Sequence, residues 1–266
     1  MKGRAATLVA VWMLSAATGC NPTAEWRARE QAREESFSKV RRIAVCPVRI
    51  ELAPKYMVHV GAGRFDEVRY AYEDEICLTL SQGGFEVIGP SLVGPIVRKA
   101  FDRMNQAKSL DGRPLERSGA RLQAAFQQIA EFVGSEMGAD GLLVAVIDRD
   151  TAVMKDRVAT WAGRSENAER LTLGNVIADT LTSAPNEQTL DAVTLRVTLF
   201  KADRDAATLT GRESGIGLLQ RREMAELENL KVPSVLMDGE RRKRAVAETG
   251  IRRAPPAVTP PVTTPQ

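Results

Sequence analysis

At 266 residues, with 44% hydrophobic side chains and a net charge of +3, the chain is long enough for one good-sized packed domain plus appendages. Acids and bases are interspersed and only three Tyr and three Trp are present, which excludes the basic stripe with interleaved aromatics of a nucleic-acid binder. A single histidine and the lack of a serine elbow exclude histidine-dependent nucleophilic catalysis.

The chain opens on a short basic start (Lys2, Arg4) and an apolar run from Ala5 to Ala17. That run is shorter than the roughly 20 apolar residues a membrane-spanning helix needs, and it has the shape of a secretory signal peptide. Its end, Ala17-Thr18-Gly19-Cys20, resembles the bacterial lipobox, in which small residues precede a cysteine that is lipid-modified and becomes the mature N-terminus. Ala17 stands where leucine is commoner. The alternative is an ordinary signal peptide cleaved nearby, with Cys20 incidental. The lipobox reading makes residues 1–19 a lipoprotein signal peptide and Cys20 the lipidation site. Each buried methylene of a fatty-acyl chain such as palmitate contributes about 0.8 kcal/mol, so several chains hold a protein on its membrane. Asn21 follows, where an inner-membrane retention signal has Asp, which points to the outer membrane, facing the periplasm. Cys46 and Cys77 remain; buried free thiols are expected, with a disulfide open as the alternative in an oxidising envelope.

Residues 20–39 are charged and rich in Arg, Glu and Ala, as suits a solvated helix or loose tether. Helical, the stretch reaches on the order of 30 Å; fully extended, roughly 60 Å. A domain is expected from Val40, where VRRIAVCPVRIEL reads as a strand buried on both faces. Met57 to Val60 and Gly61-Ala62-Gly63 precede a helix from about Asp66 to Gln82, ended by Gly83-Gly84 in the place of a C-cap. Phe85 to Ile88 is a short strand. Gly94-Pro95 opens the next helix, through Ile96, Val97, Ala100 and Met104, and Asn105 to Gly119 is a polar loop.

Apolar residues then recur at helical spacing through Leu122, Ala125, Phe126, Ile129, Ala130 and Val133, turn at MGADG (Met137 to Gly141), and become the continuous run Leu142 to Ile147. This is a helix feeding a buried strand. Residues 152–189 fit a long hairpin or an inserted flap. Leu190 to Phe200 alternates as a half-exposed strand, and after the turn KADRDA a short strand, Thr208 to Gly211, closes a hairpin. Residues 218–266 hold a charged helix (Leu218 to Leu230), the basic run Arg241 to Arg244 and the Pro-rich end PPAVTPPVTTPQ; disorder is expected from about Val232.

Few constellations carry chemistry. His59 beside an apolar strand is expected to be a loop or core residue. Gly61-Ala62-Gly63 before a helix is like a dinucleotide-binding turn but has Asp66 where the third glycine belongs, and an acid there repels a pyrophosphate. Asp148-Arg149-Asp150 and Asp203-Arg204-Asp205 pair carboxylates at a spacing that suits a hard divalent cation, yet each is placed where a strand runs into a turn, a position Asp takes for backbone reasons. Glu73, Asp74 and Glu75 fan around a helix and are expected to be solvated. Arg241 to Arg244 reads as solvated, or as a contact for anionic lipid headgroups. No cysteine spacing suits a metal, and no cofactor is expected.

RRIAVCPV, LSQGGFEVIGPS, SEMGADGLLVAVID and VTLFKADRDAATLTGRE together resemble, over about Val40 to Glu213, the envelope lipoproteins that share a domain with the curli-secretion channel subunit and the outer-membrane activator of penicillin-binding proteins. That domain is similar to the TolB N-terminal domain. The resemblance implies an α/β fold: a single compact mixed-sheet domain with helices packed on it over residues 40–217, followed by a disordered C-terminal tail. It also implies a binding or assembly role without cofactor or catalytic residues, and Cys20 is the one functional residue that carries over. The expectation is therefore a non-enzymatic, lipid-anchored periplasmic accessory lipoprotein acting through protein contacts in a secretion or cell-wall complex. Its envelope partner is not named by the sequence, and homo-oligomerisation stays open. The alternative is a subunit of an oligomeric outer-membrane secretion channel, for which 152–189 has room for a strand pair although Lys155, Asp156, Arg157, Arg164 and Glu166 interrupt any lipid-facing stripe.

Overall fold

Pro47 divides the first apolar run into two strands, because it brings no N–H to a ladder. In the computed structural model, which describes residues 39–52, 65–106, 119–155, 158–167, 188–203, 210–229 and 231–251, these are β1 (Arg42–Val45) and β2 (Arg49–Glu51). Helix α1 (Asp66–Gln82) follows, ended by Gly84 at φ +83°, a conformation glycine adopts without a Cβ penalty. Then come β3 (Glu86–Ile88), α2 (Pro90–Gln106), α3 (Gly119–Met137) and β4 (Gly141–Lys155). The second half adds β5 (Val158–Trp161), β6 (Arg164–Asn167), β7 (Gln188–Lys201) and β8 (Thr210–Leu218). Three helices close it: α4 (Arg221–Glu228), α5 (Ser234–Met237) and α6 (Gly239–Glu248). The described residues from Val40 to Ile251 belong to one compact unit.

The eight strands form one mixed sheet centred on β4. Along one edge of β4 lie β1 and β2 in line and parallel, pairing Ala44 with Leu142 and Ile50 with Ile147; β3 adds outside β1, also parallel. Along the other edge β7 runs antiparallel over almost its whole length, Leu142 opposite Phe200 and Met154 opposite Gln188, and β8 pairs beyond it. The segment expected as a hairpin or flap is, over its described part, β5 and β6 turning back on the end of β4. Trp161 of β5 packs with Ala152, Met154 and Ala192 in a small second core and donates its indole N–H to the Val193 carbonyl at 3.3 Å.

Helices cover both faces of the sheet, which is why the run from Leu142 to Ala145 is buried without alternation. Leu142 and Val144 meet α2 and α3 through Val93, Phe126, Ile129 and Val133. Helix α1 packs beside α6 and fully buries Tyr72, Ile76 and Leu80. The MGADG turn couples these parts. Gly138 sits at φ +66°, and the Asp140 carboxylate accepts the backbone N–H groups of Arg41 (2.7 Å) and Arg42 (2.8 Å), fastening the start of β1. A Cβ on Gly141 would lie 2.9 Å from the Phe200 carbonyl oxygen, so the close approach of β7 requires glycine there.

Several expectations are corrected. The folded body does not end at 217: α5 and α6 pack on β8, with Leu236 and Val246 fully buried, so ordered structure extends to Ile251. The charges of this stretch run round α6, Arg241 and Arg242 half-buried against β6 and α1 and Lys243 and Arg244 exposed, while Ala245 and Val246 are buried. Helix α2 begins at Pro90, with Gly89 accepting the first turn's N–H groups, and Pro95 lies inside it. Strand β8 is longer than the short Thr208 to Gly211 strand expected. The expected signal peptide, Cys20, the tether, Met57 to Val60, His59, Gly61-Ala62-Gly63, Arg204, Asp205 and the Pro-rich end lie outside the described residues. No described helix is long and apolar enough to cross a membrane.

Candidate functional site

Two surface features concentrate unusual chemistry, and both are set by how far α2 and α3 extend over the sheet. Phe101 of α2 and Phe126 of α3 meet edge to face, centroids 5.5 Å apart, so the end of α2 lies beside the start of α3. Phe126 also reaches Phe200 of β7 at 5.7 Å. The Arg49 guanidinium caps this aromatic layer, 5.5 Å from the Phe101 ring and 5.8 Å from that of Phe126. Beyond Arg49 the same sheet face becomes charged.

Parallel and antiparallel register place the charges side by side. Glu51 is opposite Asp148, Asp148 opposite Thr194, and Arg196 opposite Glu213. Arg196 sits among three carboxylates: Asp148 at 3.0 Å, Asp150 at 3.6 Å and Glu213 at 3.2 Å. Arg49 pairs with Glu51, and the Thr194 hydroxyl donates to Asp150 at 3.0 Å. Burial pushes the Asp148 carboxyl up to about 6; Arg196 opposes the rise, while Asp150, Glu51 and Glu213 add to it. Asp148 Oδ1 and Arg49 Nη1 are shielded from solvent without a hydrogen-bond partner among the described residues.

The expectation that Asp148-Arg149-Asp150 ends a strand at a turn is therefore overturned. Strand β4 continues to Lys155, so Asp148 and Asp150 lie mid-strand, sharing one face, while Arg149 binds Asp191 at 2.7 Å. Arg196 occupies the space between the carboxylates that a cation would take, and among the described residues no group of His, Cys, Asp or Glu has the arrangement of metal ligands. The structure does not bring Asp203 of the second pair into this cluster.

The second feature lies on the outer side of α2 and α3. A cavity of about 670 Å³ opens there, walled by Ile96 and Ala100 of α2 and by Ala125, Ile129 and Phe132 of α3, with Lys99 and Arg103 on its α2 side. Phe132 is 48% exposed and stands between this groove and a second depression lined by Glu131, Ser135 and Ala202. Leu92, 62% exposed, continues the α2 wall one turn before Ile96. The clue in the sequence is a broad apolar face on α2: Val93, Val97 and Phe101 pack inward, Ile96 and Ala100 are half-buried against the same core while also lining the cavity, and Leu92 extends the face into solvent.

The remaining residues singled out in the sequence have structural places. Cys46 and Cys77 are free thiols; burial pushes Cys46 up to about 12 and Cys77 to about 11. Glu73, expected to be solvated, is buried, and its carboxylate accepts the Val48 N–H at 2.9 Å beside Arg69 at 3.7 Å. Its position on α1 faces the link between β1 and β2, where Pro47 interrupts the ladder and leaves Val48 in need of an acceptor. Burial raises the Glu73 carboxyl above its ordinary range. The run Arg241 to Arg244 is helical: Arg241 binds Glu166 of β6 at 2.9 Å, and Arg242 lies over the Tyr72 ring.

No family model matches the chain, and no curated protein matches it. Among solved structures, the chain is similar to lipoprotein GNA1162 from Neisseria meningitidis, at 11% identity and a TM-score of 0.30, over 66% of this chain and 83% of that one.

Proposed function

We propose that the protein is a lipid-anchored accessory lipoprotein of the cell envelope, attached to the outer membrane through Cys20 and acting by protein contacts and not by catalysis. The carrying observation is the basic, apolar signal-like start ending in Ala17-Thr18-Gly19-Cys20. The solvent-facing apolar groove on α2 and α3 supports the reading, because apolar surface left open beside a well-packed body marks interaction sites. At the charged sheet face Arg196 lies among Asp148, Asp150 and Glu213, where a hard cation would otherwise sit. A partner in a secretion or cell-wall complex is the finer form of the proposal.

The test is membrane fractionation of the full chain against Cys20→Ser, followed by crosslinking in the intact envelope. Retention of the wild type and release of the variant support the anchor. Retention of the variant sinks it. The channel alternative requires detergent-stable rings in size-exclusion chromatography.

A further inference from the structure

The geometry points to the groove between α2 and α3 as the docking site for an amphipathic helix of a partner protein, one whose flanks are acidic. This rests on the adaptor reading and specifies its contact surface.

Leu92, Ile96, Lys99 and Arg103 follow one another at spacings of four, three and four, so they form a single line along α2. At about 1.5 Å per residue this line is roughly 17 Å long, about three turns, the length over which a docked helix presents its i, i+4 and i+7 anchors. Across from it on α3, Ala125 contributes almost no side-chain bulk, and Phe132, two turns further along, stands up at one end of the lining. A trough between two helices with a small residue at its floor accepts a third helix by the same ridge-into-groove packing that joins the first two. The apolar surface also runs on past the cavity through Leu92, 62% exposed and outside its lining, which a single small ligand in the cavity would leave uncovered.

Charge selects the kind of helix. Lys99 and Arg103 are exposed, one turn apart, and neither is paired with an acid among the described residues. The cavity's described lining contains no carboxylate. Glutamates flanking the partner's apolar stripe would meet both cations, whereas lysines would be repelled.

The probe is a fluorescein-labelled synthetic helix with leucines at i, i+4 and i+7 and glutamates on both flanks, against the same peptide with lysines for glutamates. Fluorescence anisotropy with the full chain is expected to show the acidic peptide binding about tenfold more tightly at low salt, the sum of two weak surface ion pairs. The double variant Lys99→Glu, Arg103→Glu, which alters only exposed side chains, is expected to reverse the preference. Ala125→Trp, which fills the trough, is expected to abolish binding while circular dichroism shows the fold retained. Equal binding of both peptides, or binding indifferent to either variant, overturns the proposal. It also fails if vesicles of anionic phospholipid displace the peptide, or if binding appears only after residues 21–38 are removed, since the groove then serves a membrane or the chain itself. In the envelope, a photoreactive side chain at Ala124 is expected to crosslink to a protein. Crosslinks from Val153 alone would overturn the groove and leave the adaptor reading standing.

Discussion

Replacing Asp148 by Asn tests whether the charged sheet face is an electrostatic liability tolerated by the fold. The side chain is only 19% exposed, and burial raises its carboxyl from an ordinary 3.8 to about 6 despite Arg196 at 3.0 Å. A rise of about two, at ~1.36 kcal/mol each, sets a ceiling of roughly 3 kcal/mol. Solvent at this open end of the sheet screens the charges and brings the expected value down to about 1 kcal/mol. Because the folded state binds this proton more tightly than the unfolded chain, folding takes up a proton between about pH 3.8 and 6. Asp148 therefore costs stability as pH rises through that window. Asn stays neutral throughout, so the variant should gain on the wild type over the same range. Urea unfolding of both proteins, followed by tryptophan fluorescence at pH 4, 5, 6 and 7, isolates the effect in the difference between them. That difference should grow by about 1 kcal/mol in favour of Asp148→Asn between pH 4 and 7. A flat or opposite trend would show that the ion pair with Arg196 outweighs burial.

Four further outcomes follow from contacts described above. Leu236→Ala should destabilise the protein by about 2–5 kcal/mol in urea unfolding, the cost of a cavity in a packed core, because Leu236 is fully buried; a change under 0.5 kcal/mol would mean that the C-terminal helices are not part of the body. Glu73→Ala should cost about 1–3 kcal/mol by leaving the Val48 N–H without its acceptor, and Glu73→Gln should recover part of it, as read from thermal melts. Gly141→Ala should cost about 1–3 kcal/mol, since the new Cβ meets backbone on β7. In Cys20→Ser protein, Cys46 and Cys77 should react slowly with Ellman's reagent at pH 8 when folded and rapidly in urea, Cys46 being the slower, because thiols raised to about 12 and about 11 hold little thiolate.

Local signals carried much of the architecture. The helix from Asp66 to Gln82 could be placed because Gly83-Gly84 ends it, and Gly84 does take a positive φ. The change from helical spacing to a continuous apolar run located α3, its turn and the buried half of β4. Where β4 ends was not legible, because Asp148 and Asp150 look like turn formers until β7 is known to lie beside them for the strand's full length. The same limit hid Glu73: nothing in a run of three acids says which one meets a backbone N–H at the break beside Pro47. The C-terminal helices were misjudged for a compositional reason. Their charges dominate the average, while burial depends on a few positions such as Leu236, Ala245 and Val246.

The charged face and the groove share one physical origin, and it explains why neither was read from residues alone. Helices α2 and α3 cover the sheet only as far as Phe101 and Phe126, and Arg49 closes that layer by lying against both rings. Past that limit, residues of β2, β4 and β7 on the covered face lose their apolar neighbours, so the strands must carry polar side chains there, and register gathers them around Arg196. On the outside of the same two helices the apolar face of α2 is wider than its contact with the sheet: Ile96 and Ala100 are half-buried against the core and also line the cavity, and Leu92 is exposed. A surface helix ordinarily carries a polar residue at a position as open as Leu92. Leu92 and Phe132, with Lys99 and Arg103 beside the cavity, are therefore the surface on which the proposed docking is to be tested.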